Sequence, residues 1–102
     1  MRYQNNEGDV AVIYSPGYGA GWSTWNSRFD NSLIFDPLLV QLILDKNYEQ
    51  AIIYASNKWP QCYTGGLEQA QIKWLPPNTS FEITEYDGYE RIELADKQWL
   101  RT

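Results

Sequence analysis

The chain has 102 residues, 43% hydrophobic and 21% charged, the size and balance of one globular domain without room for a second lobe. Thirteen acidic against eight basic residues give a formal net charge of −5, and the cations are scattered, which argues against duplex DNA as a partner. One cysteine and no histidine exclude an intrachain disulfide, a Cys/His zinc site and any Ser-His or Cys-His nucleophilic pair.

Asp9–Tyr14 (DVAVIY) is a β-branched apolar run that stops at Ser15-Pro16, so it predicts a strand buried on both faces. Ser15 to Asn26 follows as SPGYGAGWSTWN, with three alternating glycines among one tyrosine and two tryptophans. Glycine permits positive φ and close backbone approach, while Tyr and Trp offer flat apolar faces with a polar rim. Residues Ser27–Ile34 are read as loop with at most one helical turn.

Phe35-Asp36-Pro37 is a helix start: Asp36 caps free N–H groups, Pro37 suits the first helical position, and Phe35 staples the first turn. Leu38, Leu39, Leu42 and Ile43 then recur at helical spacing to about Lys46. A second helix is expected over about Tyr48–Asn57, capped by Asn47 and closed by Pro60, with Ala51, Ile52, Tyr54 and Ala55 partly inward. Gln69–Leu75 alternates as a half-buried strand, and Pro76-Pro77-Asn78 breaks it.

Asp87-Gly88 predicts a two-residue type I′ hairpin turn. That turn pairs Tyr86 with Tyr89, Glu85 with Glu90, Thr84 with Arg91, Ile83 with Ile92, Glu82 with Glu93 and Phe81 with Leu94. Phe81, Ile83, Ile92 and Leu94 then share the core face. The expected architecture is α+β: a small antiparallel sheet of about four strands with one or two helices packed on one face.

Aromatic residues make up 16% of the chain, with five Trp and eight Tyr, more than a core this small hides. In the glycine segment, Tyr18, Trp22 and Trp25 are candidates to stack a nucleobase. Gly19 and Gly21 would present backbone N–H groups, and Ser23, Thr24 and Asn26 would add hydrogen-bonding groups. The competing reading gives one Trp to the core and leaves the glycines to tight turns. Arg28 and Arg91 are the first candidates to grip a phosphate. The Glu85/Glu90 pair repels itself. Either it projects into water, where screening weakens the repulsion, or it meets a cation, a ribose or amine, or a partner's arginine. Cys62, with no histidine beside it, reads as a packing residue.

Together, the SPGYGAGWSTWN segment, the Phe35-Asp36-Pro37 start and the late EYDGYE hairpin resemble a group of short proteins met mainly in tailed-phage genomes. The resemblance implies a small phage accessory protein. By analogy of scale it points to proteins that sequester the cyclic nucleotide or cyclic ADP-ribose signals of CBASS and Thoeris immunity.

The expected function is therefore non-catalytic sequestration of a nucleotide-like small molecule, with no cofactor or metal, by a homo-oligomer in the host-cell cytoplasm. The alternative is an acidic inhibitor that docks on a basic host protein through Glu82, Glu85, Asp87, Glu90 and Glu93. An enzyme using Glu85 and Glu90 finds no further support in the chain. No leader-like segment opens the sequence, and no apolar run reaches the roughly 18 residues of a spanning helix, so no membrane is expected.

Overall fold

The computed structural model describes residues 2–94 and 100–101. Strand β1 (Val10–Tyr14) is covered on both faces, as its unbroken β-branched run requires, and Val10, Ala11, Val12 and Ile13 are all buried. It pairs antiparallel with β2 (Gln71–Leu75), matching Ala11 with Trp74, Val12 with Lys73 and Ile13 with Ile72. Alternation along the two strands sends their side chains into two separate cores.

One face of β1–β2 carries Ala11, Ile13, Ile72 and Trp74 against the helical layer. Helix α2 (Pro37–Leu44) buries Leu39, Val40 and Ile43, and α3 (Tyr48–Lys58) buries Ala51 and Ala55. Leu38, expected inward, is exposed, and Val40 takes its place in the core. Both caps form as the sequence requires: Asp36 accepts from the Leu39 N–H at 2.9 Å and Asn47 from the Gln50 N–H at 3.4 Å. The helical turn expected before Phe35 is a four-residue helix, α1 (Ser32–Phe35), whose Leu33, Ile34 and Phe35 are buried.

The opposite face carries Val10, Val12 and Leu75 against Ile34, Phe35 and Phe81. Phe81 belongs to β3 (Ser80–Tyr86), which forms the hairpin with β4 (Tyr89–Leu94). Every pair set by the Asp87-Gly88 turn is present, from Tyr86/Tyr89 to Phe81/Leu94. Positive φ at both Asp87 (52°) and Gly88 (83°) is the backbone signature of that turn. Within the hairpin's apolar face Phe81 is fully buried, Ile83 and Ile92 are half-buried and Leu94 is exposed. The two-residue β5 (Leu100–Arg101) pairs with the other edge of β3.

The fold is thus α+β, with the four main strands divided between β1–β2 and the hairpin, and β1–β2 lying between helices and hairpin. Among the described residues no helix is long and apolar enough to cross a membrane.

Asp36 does more than cap α2. Tyr54 donates its hydroxyl to both carboxylate oxygens at 3.0 Å, and Lys58 forms an ion pair with Oδ2. Burial pushes the Asp36 carboxyl up, but the hydrogen bonds from Lys58, the Leu39 N–H and Tyr54 outweigh it and hold it below the ordinary value of 3.8. A carboxylate lowered on folding contributes stability above its unfolded value and loses it as pH falls through the folded one. Asp36→Asn keeps the cap but loses the charge, so we expect a loss of about 2 kcal/mol at neutral pH. Its stability should also fall less steeply than that of wild type on acidification below 3.8. Thermal melting against pH measures both.

Candidate functional site

The glycine segment leaves β1 at Ser15 and crosses to α1 through a single 3-10 turn, Ser23–Trp25. Its conformation is set from below by Glu90 of β4, whose side chain has no exposed surface. Glu90 Oε1 accepts from the Ser15 N–H at 2.9 Å. Oε2 accepts from the Trp22 N–H at 2.7 Å, the Thr24 N–H at 3.1 Å and the Thr24 hydroxyl at 2.6 Å. The Glu90 N–H in turn donates to the Ser15 carbonyl at 2.8 Å. The segment is an anion cradle, and the anion it holds is a side chain of the same molecule.

The reading that sends the Glu85/Glu90 pair into water holds for Glu85 and fails for Glu90. The carboxylates part: Glu90 turns under the glycine segment, while Glu85 stays exposed and accepts the Gly88 N–H of its own turn at 2.8 Å. Repulsion is relieved by separation and by four donors on Glu90, with no cation beside it among the described residues.

The glycines make this approach possible. A Cβ on Gly66 would lie 2.4 Å from the Gly21 carbonyl oxygen, and one on Gly88 would lie 2.4 Å from the Ala20 nitrogen. The segment is therefore in backbone contact with the 3-10 turn Gly65–Gln69 on one side and with the hairpin turn on the other. Gly19 adds a hydrogen bond from its N–H to the Asp87 carbonyl at 3.0 Å.

Of the candidate binding residues, several are committed inside the protein. Trp22 is fully buried, meets Trp59 edge-on at 6.0 Å and donates its indole N–H to the Leu33 carbonyl at 2.8 Å. Asn26 is buried and ties two segments together. Its Nδ2 donates to the Trp22 and Tyr63 carbonyls at 2.8 and 2.9 Å, and its Oδ1 accepts the Tyr63 N–H at 2.7 Å. Thr24 serves Glu90, and Gly21 lies against it.

Six candidates are exposed to solvent: Tyr18, Gly19, Trp25, Arg28, Glu85 and Arg91. Trp25 is 43% exposed and packs on Tyr63, itself 50% exposed, at 5.3 Å between ring centres and 35° between planes. Arg28 lies in the same cleft, of about 330 Å³, with Gln61, to whose carbonyl it donates at 2.6 Å. Tyr18, 66% exposed, instead packs on Tyr89 at 5.0 Å. Arg91 lines a different cleft and pairs with Glu93 at 2.9 Å. Ser23 borders a larger cleft of about 560 Å³ whose wall includes Asp30 and Glu82 and, among the described residues, no cation, an unsuitable place for a phosphate.

Tyr63 and Gln61 escape sequence reasoning because nothing in WPQCYTGG ties them to a segment some 37 residues earlier. Gly65-Gly66 carried the only signal, that of a close backbone approach. Cys62 is half-buried with its thiol pushed up by burial and its Sγ 3.7 Å from the Ala55 carbonyl, an unreactive setting. The Trp25–Tyr63 cleft brings together two exposed rings, hydrogen-bonding groups and one guanidinium, that of Arg28. Among the described residues no three His, Cys, Asp or Glu side chains are placed to hold a metal ion.

Glu90→Gln replaces an acceptor by an amide N–H that faces a donor whichever way it turns, so a loss of about 3 kcal/mol is expected. Gly66→Ala drives a methyl group into backbone and should cost a similar amount, about 1–3 kcal/mol. Glu85→Gln, at the partner position of the same pair, should leave denaturant stability within about 0.5 kcal/mol of wild type. Urea unfolding of the three variants checks all of these.

No family model matches this chain, and no curated protein or solved structure shows significant similarity to it, so the reading of the site rests on its geometry.

Proposed function

We propose that the chain is a small, non-catalytic phage-type accessory protein that binds and sequesters a nucleotide-like molecule in the host-cell cytoplasm. The observation that carries this reading is the exposed Trp25–Tyr63 ring pair beside Arg28 in one cleft. A base laid on the open face of either ring gains about 1–3 kcal/mol of stacking. Arg28 spends one N–H on Gln61 and keeps others for a phosphate or a base edge. Asn26 fixes the distance between the two aromatic segments, so the platform is preorganised and little ordering is required on binding. The cleft is open on one side, and a second copy of the chain closing over it is part of the proposal.

The alternative, an acidic inhibitor of a basic host protein, has less support. Glu90 is withdrawn from the acidic set, and Arg91 lies among the remaining acids, paired with Glu93.

The test is thermal melting and Trp fluorescence against cyclic dinucleotides, cyclic ADP-ribose isomers, NAD and ATP. One of these should raise the melting temperature by several degrees, as ligand well above its dissociation constant does. Trp25→Ala and Tyr63→Ala should abolish that rise while melting normally without ligand. Silence across the panel at millimolar concentration would refute sequestration of this ligand class.

A further inference from the structure

The cleft between the ends of β1–β2 and the hairpin gathers donors that the fold does not use. Its volume is about 250 Å³, and its wall includes Tyr14, Lys73, Tyr89, Glu90 and Arg91. Tyr14 and Lys73 fall on the face of β1–β2 that turns toward the hairpin, because Lys73 pairs with Val12 and Tyr14 stands two residues further along β1. The Glu90 N–H joins β4 to the Ser15 carbonyl at this point at 2.8 Å, and Pro16 and Ile92 complete the wall of the cleft.

The polar groups of the wall point to one ligand chemistry. Lys73 is exposed and has no carboxylate partner among the described residues, although acids outnumber bases thirteen to eight. Arg91 pairs with Glu93 through one terminal nitrogen, and its other N–H donors have no partner among the described residues. The hydroxyls of Tyr14 and Tyr89 have no hydrogen-bond partner among the described residues. Glu90 is the one acid in the wall among the described residues, and both its oxygens are occupied by Ser15, Trp22 and Thr24 donors. A cleft with two cations, two phenols and a saturated carboxylate favours an acceptor-rich anion.

We infer that this cleft is an oxyanion site, taking a phosphate or pyrophosphate group between Lys73 and Arg91 with the Tyr14 and Tyr89 hydroxyls as further donors. It is separate from the Trp25–Tyr63 cleft and does not depend on what that cleft binds.

The experiment is an amide-shift titration of the labelled protein with sodium pyrophosphate at constant ionic strength. Saturable shifts are expected at Lys73, Tyr89 and Arg91. Lys73→Gln and Arg91→Gln should each weaken binding about tenfold, the loss of one charge-assisted contact. Lys73→Arg should retain binding, and Lys46→Gln, a cation lining another cleft, should leave it unchanged. Shifts that never saturate, or Lys73→Gln and Arg91→Gln binding as wild type does, would overturn the assignment. So would loss of pyrophosphate binding in Trp25→Ala, which would place the anion at the aromatic cleft. Retained binding in Trp25→Ala, with no nucleotide response from wild type, would uphold this site and count against the nucleotide reading alone.

Discussion

A carboxylate with no exposed surface and no cation beside it among the described residues holds this fold's least regular segment in place. Removing Glu90 from water costs several kcal/mol, and that cost is offset only where its oxygens find well-placed donors. Four are supplied, three of them backbone N–H groups of a segment that forms no strand and only one 3-10 turn. The dependence is mutual. The segment needs an acceptor for its inward N–H groups, and the acid needs donors. Neither is satisfied until hairpin and segment meet, so the interaction joins residues 75 apart in sequence into one unit.

What the surface presents follows from this joint. Glu90 fixes the Trp22 and Thr24 amides, which sets the turn that points Trp22 into the core and Trp25 outward. Asn26, at the end of that turn, then seizes the Tyr63 backbone and brings the second exposed ring alongside. The aromatic cleft is thus a downstream product of a buried polar network. Rigid placement of that kind favours tight binding, because little freedom remains to be lost.

Much of the scaffold was legible in the sequence because its signals are local. The Asp87-Gly88 turn fixes the hairpin register, and Asp36-Pro37 and Asn47 place the starts of two helices. The division of strands between two layers was not legible. It depends on β1–β2 being covered on both faces, and Val10–Ile13 announces burial without saying what provides it. In the glycine segment the sequence offers the Gly19 and Gly21 N–H groups to an external ligand, whereas the N–H groups that meet a carboxylate are those of Ser15, Trp22 and Thr24, and the carboxylate is Glu90. Glu90 was singled out through its pairing with Glu85, yet only the tertiary fold shows that it turns under the segment. Leu38 misled for a related reason, since helical spacing alone does not choose between it and Val40 for the core.

Amide hydrogen exchange on the wild-type protein tests the central role of Glu90 most directly. If the buried carboxylate holds segment and hairpin together, the Ser15, Trp22 and Thr24 amides should be protected to about the same free energy as the β1–β2 ladder, opening only with the whole fold. Rapid exchange of these three amides while the ladder stays protected would contradict the account and make the segment an ordinary mobile loop.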